Sequence, residues 1–558
     1  MAKNIVIQRM GQTMKEGTIV KWLKKDGEKV VKGEPLYDLE YDKDAVTVES
    51  PDEGILNIVV KEGETLPVST TIARILSRNE TAVASADVPE KKPAVSRKDD
   101  ADAIVIGAGP GGYVAAIKLA LLGKKTVLVE KDKVGGICLN EGCIPTKALL
   151  MSAETLDIVK NSAGMGIGVT GYRIQPEVIN KRKNQVVDTL VNGVKYLLKK
   201  RGVETIVGAA SFTGPRTLRI ELADGREKEL SAEHIIIAAG SRSAKIPIEG
   251  IDGNNVVFST EVLDVTALPK SMVVIGGGVI GMEIGSIYAD FGVKITILEA
   301  LPNILPCMDE EVSKTFRGIV ERKMSVCTDA KVIRISDVKA QKKITYMYNG
   351  KQCEEIADKV LVAVGRSPET ESLNLDAAGI KTERGWICVD DGHMTNVEGV
   401  YAIGDVNGEV LLAHAASAQG IAVAEKIAGH ASSMNLKIVP NCIYTKPEIA
   451  AVGMTEKQAK EKGIAYKVGK FPFQANGKAL AMGEPEGFVK IIADEKYGEI
   501  LGVHIIGPRA TDMISEAALA MRLECTASEL AGTIHAHPTL TEAVMEAAES
   551  ILGEAIHQ

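Results

Sequence analysis

The chain has 558 residues, 45% of them hydrophobic and 25% charged, which is typical of a folded protein with several domains. Its formal net charge of −8 argues against a nucleic-acid-binding protein, because such proteins need a concentrated basic face. No apolar run reaches the roughly 20 residues of a membrane span, and the N-terminus has no apolar signal segment. We therefore expect a cytoplasmic protein, although a mature organellar protein would look the same.

The first 78 residues alternate short apolar runs with glycine-containing turns, which predicts an all-β domain. Lys43 lies between two of the predicted strands, with Asp42 and Asp44 on either side. This arrangement resembles the exposed hairpin of lipoyl domains, and the resemblance implies covalent lipoate on Lys43. Biotin domains usually have methionine on both sides of the lysine. Asp44 departs from the lipoyl pattern, where alanine or a similar residue is usual, and an ordinary exposed lysine at a β-turn is the alternative.

Residues 79–100 contain alanine, proline and charge but almost no large apolar residue, which predicts a flexible linker. After this linker, a strand, glycine turn, helix and strand occur twice, over 102–130 and again over 271–299. This repetition predicts two Rossmann-like α/β dinucleotide-binding domains, followed by an α+β C-terminal domain without a third glycine turn. The predicted boundaries are 1–78, 101–249 completed by 371–440, 250–370, and 441–558.

The first glycine turn contains Gly107, Gly109 and Gly112, and its second strand ends at Glu130. The first glycine permits a tight turn, the second lets the backbone approach a pyrophosphate, and the third allows close helix–strand packing. Glu130 is placed to accept hydrogen bonds from a ribose hydroxyl. The motif alone is weak, but its strand–turn–helix–strand context predicts a dinucleotide site.

The second glycine turn contains Gly276, Gly278 and Gly281, and the strand that follows its helix ends at Glu299. An acidic residue at this strand end repels the 2′-phosphate of NADP, and Ala300 follows it in place of an arginine. The second site is therefore predicted to prefer NAD over NADP.

Cys138 and Cys143 are the two cysteines that lie close together among the eight in the chain. On a regular helix, residues five apart rise about 7.5 Å, which is too far for a disulfide. If the two cysteines pair, the backbone between them must be distorted, and Gly142 and Pro145 are placed for that. So short a loop gains little as a structural staple, which favours redox chemistry. A metal site would need two further ligands nearby, and buried thiols are the remaining alternative.

His535 and His537 lie near the C-terminus, separated by one alanine, and Glu542 follows them. Thiol–disulfide exchange needs a thiolate, whereas a thiol with a pKa near 8.5 is mostly protonated at neutral pH. A histidine can act as the base, and a carboxylate can orient that histidine and stabilise its charged form.

These motifs together resemble the class I pyridine nucleotide–disulfide oxidoreductases, over the chain from about Asp102 to the C-terminus. The resemblance implies that Cys138 exchanges with the substrate disulfide and that Cys143 forms a charge-transfer thiolate against FAD. It implies a Lys147–Glu283 pair near the flavin, with His537 as base and Glu542 as its partner, reaching across from the second subunit of a homodimer. Ala239 stands where the family usually has threonine. The resemblance further implies FAD contacts from Lys147, Ala239, Gly240, Ser241, Asp405, Leu411, Leu412, Ala413 and His414, and NAD contacts from Glu283 and Gly365.

Within this superfamily, the chain resembles the dihydrolipoamide dehydrogenase family. Glutathione reductases normally prefer NADPH, mercuric reductases carry a cysteine pair at the extreme C-terminus, and single-cysteine NADH oxidases lack the paired motif. The resemblance implies oxidation of protein-bound dihydrolipoamide with NAD⁺, in partnership with the lipoyl-bearing acyltransferase (E2) of a 2-oxoacid or acetoin dehydrogenase complex. Two alternatives remain at this stage: an NADH-dependent reductase of another disulfide, and a lipoyl carrier or assembly component.

Overall fold

The computed structural model describes residues 3–7, 16–41, 44–67, 70–76, 99–432 and 434–557. The chain divides into two units, Met1–Arg97 and Lys98–Gln558. The predicted linker at 79–100 lies outside the described residues except for its last two positions, and Asp42 and Lys43 also lie outside them. Within the described ranges, no helix combines the length and apolar character needed to span a bilayer.

The first unit consists of two four-stranded antiparallel sheets, in the orders β1-β8-β6-β3 and β5-β4-β2-β7. Strand β2 bulges between Ile19 and Lys21, so that Ile19 and Trp22 both reach the core although they are three residues apart. The Trp22 and Tyr37 rings pack at 5.1 Å between centroids. The all-β prediction for this region is confirmed. The strands are β1 (Lys3–Val6), β2 (Glu16–Trp22), β3 (Lys29–Val30), β4 (Pro35–Tyr41), β5 (Asp44–Glu49), β6 (Gly54–Ile58), β7 (Thr65–Pro67) and β8 (Thr71–Leu76).

The second unit begins with a parallel strand pair, β9 and β10, joined through helix α1. All five residues of β10 are buried, as expected for a strand covered on both faces of a parallel sheet. A three-stranded antiparallel meander extends from this pair and returns beside β9. The elements are β9 (Ala101–Ile106), α1 (Pro110–Leu121), β10 (Thr126–Glu130), α2 (Gly136–Glu141), α3 (Cys143–Asn161), α4 (Pro176–Lys200), β11 (Glu204–Gly214), β12 (Thr217–Leu222), β13 (Glu227–Ile237) and β14 (Ser241–Ser243).

The next segment repeats the motif in a separate five-stranded parallel sheet of order β15-β22-β16-β17-β18. Along the chain, a three-stranded antiparallel sheet, β19-β20-β21, is inserted between strands β18 and β22 of this parallel sheet. The elements are β15 (Val256–Val257), β16 (Ser271–Ile275), α5 (Val279–Asp290), β17 (Lys294–Leu298), α6 (Glu310–Val320), β18 (Ser325–Cys327), β19 (Lys331–Val338), β20 (Gln341–Tyr348), β21 (Lys351–Ala357), β22 (Lys359–Val362) and β23 (Arg366–Pro368).

The chain then returns to the first α/β sheet and completes it. Its elements here are β24 (Thr382–Glu383), β25 (Trp386–Ile387), β26 (Val400–Ala402) and α7 (Ala413–Ile427). Strand β26 pairs in parallel with β13. Helix α7 packs closely on α1: the helices approach so closely at Gly420 that a Cβ there would lie 2.6 Å from the Gly111 carbonyl oxygen. This close packing fixes the turn before α1 against the end of β26.

The C-terminal region is an antiparallel sheet of order β27-β28-β31-β30-β29, with helices packed on it. The two α/β regions and the α+β region agree with the predicted fold class. The exact domain boundaries remain predictions. The elements are β27 (Asn441–Ile443), β28 (Glu448–Gly453), α8 (Glu456–Glu461), β29 (Tyr466–Pro472), α9 (Gly477–Met482), β30 (Phe488–Asp494), β31 (Ile500–Gly507), α10 (Ala510–Arg522), α11 (Ala527–Ala531) and α12 (Glu542–Leu552).

A buried lysine joins the C-terminal sheet to the second α/β region. The Nζ of Lys490, on β30, lies 2.9 Å from Asp309, 2.8 Å from Glu456 and 3.2 Å from Glu311. The side chains of Lys490 and Asp309 are only 2% and 3% exposed. The hydrogen bond from Lys490 is the main reason that the pKa of Glu456 falls to about 2. Glu456 and Glu311 also pair with Lys460 and Lys470, so among the described residues Asp309 is the carboxylate of this junction that is paired with Lys490 alone.

We expect Lys490→Met to lower the free energy of unfolding by about 3–5 kcal/mol, because it leaves the buried Asp309 carboxylate without its cation. Chemical denaturation of the purified protein would measure the change. Lys467→Met, at an exposed position on neighbouring β29, is the matched control and should change stability by less than about 0.5 kcal/mol. Equal stability of the two variants would contradict this view of the junction.

Candidate functional site: a thiol pair in a nucleotide cavity

A cavity of about 740 Å³ lies within the second unit. It is lined by residues from the first α/β region, from helix α5 of the second and from strand β27 and the residue after it. Most residues predicted to contact FAD line it, as do both predicted redox cysteines; Gly112 does not. The lining includes Gly107, Gly109, Glu130, Cys138, Cys143, Lys147, Ala239, Gly240, Ser241, Glu283, Asp405, Leu411, Leu412, Ala413 and His414.

The glycines of the first turn are held by different constraints. Gly107 has φ +98°, and a Cβ there would lie 2.3 Å from the Ala238 carbonyl oxygen. A Cβ at Gly112 would lie 1.8 Å from the Gly107 oxygen, so this glycine serves packing. At Gly109 the nearest atom to a Cβ is 3.9 Å away, yet Gly109 lines the cavity. Protein packing therefore leaves room at Gly109, as expected where a backbone must approach a pyrophosphate.

The second turn has the same geometry. Gly276 has φ +109°, and a Cβ there would lie 2.3 Å from the Ala363 oxygen. A Cβ at Gly281 would lie 2.0 Å from the Gly276 oxygen, whereas nothing lies within 4 Å of one at Gly278. Of the predicted NAD residues, Glu283 lines the 740 Å³ cavity, whereas Gly276, Gly278, Gly281, Glu299 and Gly365 do not. The second nucleotide site is thus a separate place on the same unit.

Each turn is closed by the acidic residue that the sequence singles out. Glu130 accepts hydrogen bonds from the amides of Ala108, at 2.6 Å, and Asp132, at 2.9 Å. Glu299 accepts from the amides of Gly277, at 2.5 Å, and Leu301, at 2.7 Å. A carboxylate has about four lone-pair positions, so each can still accept a ribose hydroxyl. These acids therefore stabilise the glycine turn as well as facing the nucleotide.

Cys138 and Cys143 are both free thiols in the structure, and the pKa of each depends on the other. Helix α2 ends before Gly142, whose φ of −144° and ψ of −107° are not helical, and α3 begins at Cys143. This break supplies the distortion that two cysteines five residues apart need. The hydrogen bond between the thiols raises the pKa of Cys138 and, together with the charge of Lys147, lowers the pKa of Cys143 to about 7. The disulfide form of the pair remains a prediction.

Lys147, one turn along α3 from Cys143, contacts two groups at the cavity wall. Its Nζ lies 2.9 Å from the Oε2 of Glu283 and 4.2 Å from the centre of the Tyr444 ring. The Oε1 of Glu283 accepts a hydrogen bond from the Tyr444 amide, at 2.8 Å. Glu283 therefore joins α3, α5 and the residue after β27, and it lines the cavity.

Arg366 is a cavity residue that sequence reasoning missed. Its Nε donates to the Ser241 hydroxyl and its Nη2 donates to the Ser241 carbonyl, both at 2.6 Å. The Ser241 hydroxyl in turn donates to Asp405, at 2.5 Å. The Arg366 side chain is mostly buried. In the sequence, Arg366 directly follows Gly365, which the sequence analysis predicted to contact NAD. An arginine at the end of an apolar strand was the available signal.

The side chains of His537 and Glu542 contact each other, but neither residue lines the cavity. The Nδ1 of His537 is 2.9 Å from the Oε1 of Glu542, and 78% of the His537 side chain is exposed. Burial raises the pKa of Glu542, but hydrogen bonds from the Thr539 amide and from His537 outweigh it, so that the pKa is lowered. In a single chain the thiol pair therefore lacks this base. Among the residues that the structure describes, no cluster of side chains could hold a metal ion.

Comparison with known families covers nearly the whole chain. Residues 101–420 match the pyridine nucleotide-disulphide oxidoreductase family, and residues 439–548 match the dimerisation domain of that family. Residues 3–75 match the biotin-requiring enzyme family, which covers biotin and lipoyl domains.

Individual relatives agree with these matches. The chain is 44% identical to a dihydrolipoyl dehydrogenase of Bacillus subtilis, over 82% of this chain and 99% of the relative. It is 40% identical to a mitochondrial dihydrolipoyl dehydrogenase of Pisum sativum, over 90% and 99% respectively. Among solved structures, it is similar to the HOCl-induced flavoprotein disulfide reductase RclA of Escherichia coli in a Cu(II) complex, with 30% identity, a TM-score of 0.72, and coverage of 80% of this chain and 99% of that one.

Together with Cys138, the charge on Lys147 should lower the pKa of Cys143. In flavin-loaded protein reduced by two electrons, we expect the long-wavelength charge-transfer absorbance to rise with pH through about 7, because the thiolate is the absorbing partner. Lys147→Gln should move this transition to higher pH, so that less thiolate is present at pH 7. Lys160→Gln, at the far end of the same helix, is the control and should leave the transition in place. An unshifted transition in Lys147→Gln would contradict the assignment.

Proposed function

Because the chain belongs to the pyridine nucleotide-disulphide oxidoreductase family, we propose that it oxidises protein-bound dihydrolipoamide to lipoamide and passes the electrons through FAD to NAD⁺. It is a flavoenzyme of disulfide redox chemistry, a dihydrolipoyl dehydrogenase in type. The observation that carries the proposal is the cysteine pair in the wall of the first nucleotide cavity, with Lys147 beside Cys143. Relatives with the name dihydrolipoyl dehydrogenase align over most of the chain, which supports the dithiol substrate.

The residues of the cavity fit FAD by their chemistry. Gly109 leaves backbone open to a pyrophosphate, Glu130 can accept from a ribose hydroxyl, and Asp405 is held by Ser241 at the opposite wall. When bound, FAD would accept two electrons from the thiol pair and deliver them to NAD⁺. Glu299 and the open Gly278 backbone fit NAD at the second turn in the same manner.

The thiol chemistry can be written from the side chains of this protein. With Cys138 and Cys143 as a disulfide, the first thiolate of dihydrolipoamide attacks Cys138, and Cys143 leaves as the thiolate beside Lys147. The second substrate thiol then displaces Cys138, which closes the lipoyl disulfide. His537, oriented by Glu542, takes the proton from the attacking substrate thiol. The substrate loses two electrons and two protons: the cysteine pair gains the two electrons, His537 holds one proton, and the proton of the second substrate thiol passes to Cys138 as it leaves.

The dimerisation domain makes the protein a homodimer. We propose that each active site takes its base from the partner subunit's His537, because His537 of the same chain does not line the cavity. An E2 acyltransferase of a 2-oxoacid or acetoin dehydrogenase complex would supply the dihydrolipoyl substrate. The cytoplasmic location remains a prediction.

We further propose that the N-terminal domain carries lipoate on Lys43. The antiparallel β4–β5 pair supports this, because Tyr41 and Asp44 are opposite each other and Lys43 lies between them in the sequence. A lipoyl group tethered to the enzyme that reoxidises it makes sense through effective concentration. The aspartates on both sides of Lys43 favour lipoate over biotin.

We expect Cys138→Ser to abolish dihydrolipoamide oxidation while FAD stays bound, because the variant cannot form the disulfide that the substrate attacks. Steady-state NADH production measures the loss, and NADH oxidation with an artificial quinone acceptor reports whether the flavin still reacts. Cys388→Ser, at an exposed cysteine outside the cavity lining, is the control and should keep full activity. Full dihydrolipoamide activity in Cys138→Ser would overturn the redox assignment. A wild-type enzyme that reduces other disulfides but ignores lipoamide would overturn the substrate.

Lys43→Arg should leave the oxidation of free dihydrolipoamide unchanged, because Lys43 belongs to the first unit of the chain, whereas the cavity is formed by the second. Mass spectrometry of the intact protein from lipoate-fed cells should lose the lipoyl mass increment in this variant. The exposed Lys61, changed to arginine, is the control and should keep the increment. An increment that persists in Lys43→Arg would show that another residue carries it.

A further inference from the structure

His535, the first histidine of the C-terminal pair, is held quite differently from His537. Its side chain is only 4% exposed, although it lies two residues from the exposed His537. Its Nδ1 lies 2.8 Å from the Thr533 carbonyl oxygen, and its Nε2 lies 2.7 Å from the Oε1 of Glu516 on helix α10. Neither the substrate chemistry nor the redox pair accounts for this histidine.

Both partners of His535 can only accept hydrogen bonds. A backbone carbonyl has no proton to donate, and a carboxylate at ordinary pH has none either. Each ring nitrogen of His535 must therefore carry its own proton, and the side chain is an imidazolium. The hydrogen bond to Glu516 raises the pKa of His535 in agreement with this geometry. The charged groups that face the ring are Glu516 from α10 and Glu542 from α12.

Other hydrogen bonds also hold the segment from Thr533 to Glu542. Before His537, the Thr533 hydroxyl donates to the Glu529 carbonyl, at 2.8 Å. After His537, the Thr539 carbonyl accepts a hydrogen bond from Asn476, at 3.0 Å, and within the segment the Thr539 amide donates to Glu542, at 2.8 Å. Between Thr533 and His537, the bond from His535 to Glu516 ties the segment to helix α10. The direction in which His537 points thus depends on anchors on both sides.

We propose that His535 is a positioning residue: its imidazolium, clamped between the Thr533 carbonyl and Glu516, orients the segment that presents His537 to the partner subunit's thiol pair. The inference rests on the proposed function, because it assigns His535 to the delivery of that base. A charged ring suits the role, since hydrogen bonds to an ion are about twice as strong as those between neutral groups. Neither Thr533 nor Glu516, the hydrogen-bond partners of His535, lines the cavity.

The test uses the FAD-loaded full-length dimer. We expect His535→Gln to lower kcat/KM for dihydrolipoamide by about 10- to 100-fold, because the amide cannot make both bonds and a small displacement of a base is costly. The fall should be in kcat, with the KM for NAD⁺ and the NADH-to-quinone activity unchanged. Glu516→Ala should behave alike. Glu516→Gln should stay within about threefold of wild type, because the glutamine amide can accept from or donate to Nε2 and so keeps the clamp.

A double-variant cycle separates positioning from general damage. His535→Gln combined with His537→Gln should be no slower than His537→Gln alone, because residues that act as one unit are not additive. His557→Gln is the matched control: His557 also pairs with a glutamate, Glu546 at 2.5 Å, but lies beyond α12, and its loss should not change turnover. Two results would overturn the inference: full activity in His535→Gln, or equal loss of quinone activity. Full activity in His537→Gln would instead overturn the base assignment in the proposed function.

Discussion

The chemistry depends on one interruption in a helix. Had α2 and α3 been continuous, Cys138 and Cys143 would be separated by about 7.5 Å along the axis and could not bond. The non-helical backbone at Gly142 brings the two thiols close enough for each to shift the pKa of the other. Because Cys143 then occupies the first position of α3, the next turn of that helix carries Lys147 to its side. The break thus places the pair and also the cation that stabilises one thiolate.

The two nucleotide sites illustrate one structural solution used twice. In both turns the first glycine has a positive φ. A Cβ at the third glycine would collide with the carbonyl oxygen of the first, whereas a Cβ at the middle glycine would meet no close atom. Glu130 and Glu299 each close their turn with two backbone amides. The difference between the sites lies in their surroundings, because the first turn opens onto the thiol pair and the second does not. Two redox partners can therefore be bound by the same local motif without competing.

Local patterns in the sequence were sufficient for the fold class and for much of the cavity wall. The glycine spacings and terminal acids are properties of short segments, and a distorted backbone between the cysteines follows from helix geometry alone. Arg366 was missed because its role depends on Ser241 and Asp405, which are distant in the sequence and come together only when β14 pairs with β23. The state of His535 was equally hidden, since its partner Glu516 is on another helix. Contacts that tertiary packing creates leave no periodic signal in a sequence.

The lining of the cavity runs from Ile106 to Tyr444 along the chain and draws on several sheets and helices. A ligand that binds only when all these parts are assembled adds to the stability of the folded state in proportion to the logarithm of its concentration. No short fragment of the second unit contains the whole wall. The supply of flavin in the cell therefore influences how much of this enzyme survives proteolysis, in addition to how much of it is active. Riboflavin starvation would deplete the protein as well as its activity.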